Sequence, residues 1–158
     1  MRPLLLVLSL IVGLTTASAA VARLAPDFSF PGVGNKAKSL KSLRGQPVVL
    51  LIAKSPKNGD FKTQTKYLRE IYQQFASKQV VFIAAFTDED GVIKSDIPFA
   101  VAGNGAAVAG AYGVTDKFNI VIIGKDGNVD YQTRKVLPPE RVRDVIQNSY
   151  AVQANTGR

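Results

Sequence analysis

Two unbroken apolar runs, Val48 to Ala53 and Val80 to Phe86, with one amphipathic stretch between them, constrain this chain more than any other feature. Neither run alternates apolar with polar residues, the pattern of strands covered on both faces of a sheet. The stretch between them carries Phe61, Leu68, Ile71, Tyr72 and Phe75 on one helical side, and the Asp60 carboxylate at its start can accept from free backbone N–H groups. A strand, helix and strand joined this tightly, with only Ser77-Lys78-Gln79 at the second joint, predict a right-handed parallel crossover. At 158 residues and 46% hydrophobic content, the chain suits one domain with a real core.

The loop inside that unit, Lys54-Ser55-Pro56-Lys57-Asn58-Gly59-Asp60, lies at the carboxyl end of a buried strand and the amino end of a helix. Open α/β sheets place their sites there, so any chemical centre is expected in this loop. It contains no cysteine and no histidine, and neither does the rest of the chain. The usual zinc and copper ligands are therefore missing, and stability must come from packing rather than disulfides.

The amino terminus reads as a targeting segment. Arg2 supplies a positive start, Leu4 to Leu14 is a short apolar region, and Ala17-Ser18-Ala19 matches a cleavage pattern. The apolar region falls short of the roughly 20 residues that span a bilayer. The expected organisation is a signal peptide over 1–19, a domain over 20–150 and a flexible tail over 151–158. The product is expected outside the cytoplasm, periplasmic or extracellular, meeting the membrane only during export. A formal charge of +8 could suggest nucleic acid. In an exported chain an anionic envelope component suits that charge better than nucleic acid, and the plainer reading, a solvated basic surface with no partner, ranks above both.

Elsewhere the patterns are local. Leu24 to Pro31 reads as extended, since proline disfavours helix in the residue before it. Ser39 to Gly45 allows one or two helical turns before the first buried strand. Asp88-Glu89-Asp90-Gly91 invites a calcium reading but lacks the alternating ligands of a calcium loop, and reads as a solvated turn. Ala102 to Gly113 is rich in glycine and alanine, permits a short helix over Ala106 to Tyr112, and has no phosphate-binding spacing. No cofactor is expected. Asn119 to Gly124 and Val129 to Thr133, joined by Lys125-Asp126-Gly127-Asn128, predict an antiparallel hairpin. Pro138-Pro139-Glu140 opens a closing helix with Val142, Val145 and Ile146 on one stripe.

This order, and the residues that carry it, resemble the thioredoxin-like superfamily. Ala25-Pro26-Asp27-Phe28 and the run from Ser39-Leu40 through Gly45-Gln46-Pro47 to Leu50 are similar to the opening of its redoxin branch, the peroxiredoxins and thiol-disulfide reductases. Ala111-Tyr112-Gly113-Val114 and Ile122-Ile123-Gly124-Lys125-Asp126-Gly127 are similar to its closing half. The resemblance spans Leu24 to Ser149 and implies an α/β three-layer sandwich: a mixed central sheet, parallel crossover first and antiparallel hairpin last, with helices on both faces. Closer still are bacterial thioredoxin-like proteins with a Ser-Pro loop and an Ile-Gly-Lys-Asp-Gly hairpin lacking cysteine.

The departures bear on function. The resemblance implies a thiolate or Cys-x-x-Cys pair in the loop after the first central strand, faced by a cis-proline. Here the loop is Lys54 to Asp60, and the proline position aligns near Phe118. Without sulfur no side chain can cycle through a disulfide or sulfenic acid. The leading expectation is a redox-inactive binding or scaffold module whose former active-site groove, lined by Ser55, Lys57, Asp60, Phe118 and Asn119, holds a protein or peptide partner. A second expectation is a non-thiol enzyme with Ser55 as nucleophile and Lys57 as its base, although no oxyanion-hole donors are evident. Level with the first stands the plain alternative that the loop merely closes the fold.

Overall fold

The computed structural model describes residues 23–75 and 79–156, with side chains through 149. The expected signal peptide and cleavage site, and Ser77 and Lys78 of the second joint, lie outside the described residues.

The chain enters through β1 (Ser29–Pro31), a 3-10 turn (Val33–Asn35), β2 (Ala37–Ser39) and a second 3-10 turn (Leu40–Leu43). It then forms β3 (Val48–Ala53), α1 (Gly59–Phe75), β4 (Val81–Phe86), β5 (Ala100–Val101), α2 (Gly105–Ala111), β6 (Phe118–Ile123), β7 (Val129–Thr133) and α3 (Pro139–Thr156). The main sheet runs β5-β4-β3-β6-β7. β3 is central because it is apolar at every position: all six of its residues are buried, parallel to β4 on one side and antiparallel to β6 on the other.

Strand alternation divides the core into two layers. Val49, Leu51, Phe82, Ala84, Ile120 and Ile122 meet Leu68 and Ile71 of α1 and Val142 and Ile146 of α3. Val48, Leu50, Ile83, Val121 and Ile123 meet Val108 of α2 together with Phe30, Leu40 and Tyr112. Burying each such leucine, isoleucine or phenylalanine is worth roughly 1.5–3 kcal/mol, so the covered central strand anchors the whole domain.

Several boundaries differ from the sequence expectation. The lead-in segment does not join the main sheet as a strand; β1 and β2 pair with each other as a separate antiparallel hairpin. What ties this segment to the sheet is an isolated bridge from Leu24 to Asn128, the Ala25 N–H donating to the Gly127 carbonyl at 2.9 Å, and the Tyr112 hydroxyl donating to the Pro26 carbonyl at 2.8 Å. Asp60 does not cap α1. Asn58 does: its Oδ1 accepts from the Phe61 N–H at 2.9 Å, leaving Asp60 exposed in the first turn. The short amide reaches back to the helix end, whereas Asp60 is already inside it. The tail expected from Ala151 is helical through Thr156, continuing α3.

Candidate functional site

The register brings Phe118, Ala53 and Phe86 side by side at one end of the sheet, where the loop after β3 leaves it. That loop is held by its own short bonds. The Ser55 carbonyl accepts from the Asn58 N–H at 3.1 Å, and Ser55 Oγ accepts from the Lys57 N–H at 3.2 Å. The Lys54 carbonyl accepts from the Asp88 and Glu89 N–H groups at 3.0 and 3.1 Å. Lys54 Nζ lies 3.9 Å from Asp88 Oδ2. The acidic turn therefore latches the loop after β4 to the loop after β3, and among the described residues no group of three or more His, Cys, Asp or Glu is placed to hold a metal.

Of the residues expected to line a groove, Ser55, Lys57 and Asp60 lie together on this loop and the start of α1. Phe118 and Asn119 do not join them on the surface. Phe118 is 1% exposed and packs in the α1 and α3 core layer, because its strand position faces that layer. Asn119 is 6% exposed and, by strand alternation, faces the opposite side of the sheet; its Oδ1 is buried without a hydrogen-bond partner. Phe118 thus forms part of a buried strand end. Ser55 and Lys57 share a backbone turn, with no hydrogen bond from Lys57 Nζ to the Ser55 hydroxyl, so the activated pair that nucleophilic catalysis requires is not assembled.

The concavity at this end is elsewhere. A cleft of about 700 Å³ opens between the start of α1 and segment 92–94, lined by Pro56, Lys57, Phe61, Lys62, Thr65, Val92, Ile93 and Lys94. Its floor is closely packed: the Phe61 ring meets Phe86 edge-on at 5.2 Å and Phe99 at 6.2 Å. Lys57, Lys62 and Lys94 are exposed at its rim and none pairs with a carboxylate, whereas nearby Arg69 lies 3.4 Å from Asp96. Thr65 is 6% exposed, and its Oγ1 is buried with no partner. Segment 92–94 was invisible in the sequence as part of a site; the one hint is Val92, an apolar residue in a polar loop that proves 85% exposed.

A five-stranded mixed sheet, parallel on one side of its centre and antiparallel on the other, with helices on both faces, defines a thioredoxin-like domain. The chain belongs to the AhpC/TSA family, whose model matches residues 21–132. No curated protein matches it. Among solved structures it is similar to a Chlorobium tepidum protein assigned as a thiol:disulfide interchange protein DsbE, with 20% identity and a TM-score of 0.69 over 81% of this chain and 96% of that one. The thioredoxin domain of a Bacteroides vulgatus thiol-disulfide oxidoreductase shares 17% identity at a TM-score of 0.63, over 82% and 99%. Peroxidoxin BcpB from Mycobacterium tuberculosis shares 14% at 0.59, over 83% and 96%. These likenesses concern the fold; the present chain has that fold and no cysteine.

Proposed function

We propose that this protein is an exported, redox-inactive member of its family that works by binding a polypeptide partner at the loop end of the sheet. The observation that carries the reading is the open cleft with an apolar floor and three unpaired lysines, at the position where the fold places its sites, in a chain with no thiol. Of Ser55, Lys57 and Asp60, Lys57 lines the cleft, and the other two belong to the loop and first helical turn beside it. Phe118 and Asn119 are buried at the paired end of β6, beside Ala53 and Ile52 of β3, and line no part of the cleft. Export is supported by Arg2, the apolar region and Ala17-Ser18-Ala19. Among the described residues no helix is long and apolar enough to cross a membrane.

The test is selection from a random heptapeptide library on the chain from Ala20 onward, with enriched peptides mapped by amide chemical shifts. Expected are enriched sequences that perturb Lys57, Phe61, Lys62, Ile93 and Lys94. No enrichment, or perturbations confined to another surface, overturns the reading.

A further inference from the structure

We propose that the cleft between α1 and segment 92–94 selects an extended acidic polypeptide segment with one apolar residue between two carboxylates. The proposal rests on the binding reading above and names its ligand.

The walls set the apolar position. Phe61 is fixed by its two aromatic neighbours, Ile93 is partly buried against the same core layer, and Val92 stands exposed at the mouth. A lone exposed valine needs no explanation. One that borders a concavity floored by phenylalanine and isoleucine offers a socket for a single aliphatic side chain. The rim sets the charges. Lys57 and Lys62 come from the α1 side and Lys94 from the other, and their ammonium groups lack the acidic partners that Lys54 and Arg69 have. A simple polyanion would satisfy the lysines and leave the apolar walls wet, and an apolar segment would leave the lysines unmatched.

Length sets the number of residues. From the start of α1 to Thr65 the helix rises roughly 9 Å, which matches about three residues of extended chain at roughly 3.3 Å each. In an extended segment neighbouring side chains alternate in direction. If the middle one enters the socket, its two neighbours leave on the opposite side of the segment, and only long carboxylate side chains such as glutamate reach back from there to ammonium groups on the rim. An acid, an apolar residue and an acid therefore fit where other triplets leave either wall or rim unused.

The probe is a fluorescein-labelled Gly-Ser-Glu-Leu-Glu-Ser-Gly peptide, titrated with the chain from Ala20 onward and followed by anisotropy. Saturable binding is expected, weakened at least about tenfold when leucine is replaced by serine or both glutamates by glutamine. Lys62→Glu and Lys94→Glu, both at exposed positions, are each expected to weaken it to a similar extent at unchanged melting temperature. Equal binding of the glutamine or serine peptides overturns the proposal, as does indifference to both lysine reversals or equally tight binding of oligoglutamate. If the probe does not bind while library peptides of another composition do bind the cleft, the triplet rule falls and the binding reading stands. If neither binds, both fall.

Discussion

Gln64 is the polar side chain on which the α1 and α3 layer depends. It is fully buried on the apolar side of α1, donating from Nε2 to the Leu137 carbonyl at 3.0 Å and accepting at Oε1 from the Leu137 N–H at 2.7 Å. The amide thus satisfies both backbone groups of the residue that leads into α3. Gln64→Ala would orphan that N–H and carbonyl and open a cavity, so a loss of about 3 kcal/mol in urea unfolding is expected; a loss below about 1 kcal/mol contradicts this account. Asp130 makes the opposite kind of statement. It sits over Gly124 beside Ser149 and Asp126, in a hollow that Arg141 also lines. Burial, and then the Asp126 charge, push its carboxyl above the usual range, against a lowering from its Ser149 hydrogen bond. With the folded value raised, folding favours the protonated form relative to the unfolded chain. Its contribution is fully present below the unfolded pKa of 3.8 and is lost as pH rises through the folded value. Asp130→Asn is expected to be more stable than the parent at neutral pH, with the difference vanishing below about pH 4. Denaturation as a function of pH decides it, and a difference that grows toward acid would refute it.

The elements divide by how they announce themselves. β3, β4, β6 and β7 were legible because a run of apolar residues without alternation, or a turn containing Asp-Gly, is a local property of the chain. α1 was legible from Phe61, Leu68 and Ile71, but its cap was not, since Asn58 and Asp60 both qualify chemically and only backbone geometry chooses between them. β5 has two residues and exists through its pairing with β4, so no sequence period can report it. The site was half legible. The loop after β3 was found from its place in the topology, while the facing wall, segment 92–94, comes from a patternless stretch brought there by tertiary structure. That Phe118 lies in the covered layer was not readable, because its place in the order of elements does not say which face of a strand is covered. α2 supplies this scale's prediction. Asn104 caps it by accepting from the Ala107 N–H at 3.0 Å, and Gly105 lies so close to β4 that a Cβ would collide with the Phe86 backbone. Backbone cannot yield as a flexible side chain does. Gly105→Ala, although better for helix propensity, is expected to lose at least about 2 kcal/mol in thermal or urea unfolding; a neutral or stabilising result would mean that α2 is free to move off the sheet.

At the scale of the whole molecule, the family's architecture persists without the family's sulfur. The sheet, its two core layers and the loop at the end of β3 are all present, and the loop is organised by Ser55, Asn58 and the Asp88 latch rather than by a reactive group. What remains there is a concave surface rimmed by lysines over packed aromatic residues, and it supplies no carrier for electrons. Insulin reduction by dithiothreitol, with the purified chain from Ala20 onward added as catalyst, tests this most directly. The account predicts that turbidity begins when it does in the control without protein, at every protein concentration. Earlier onset that scales with protein and survives repurification would contradict it.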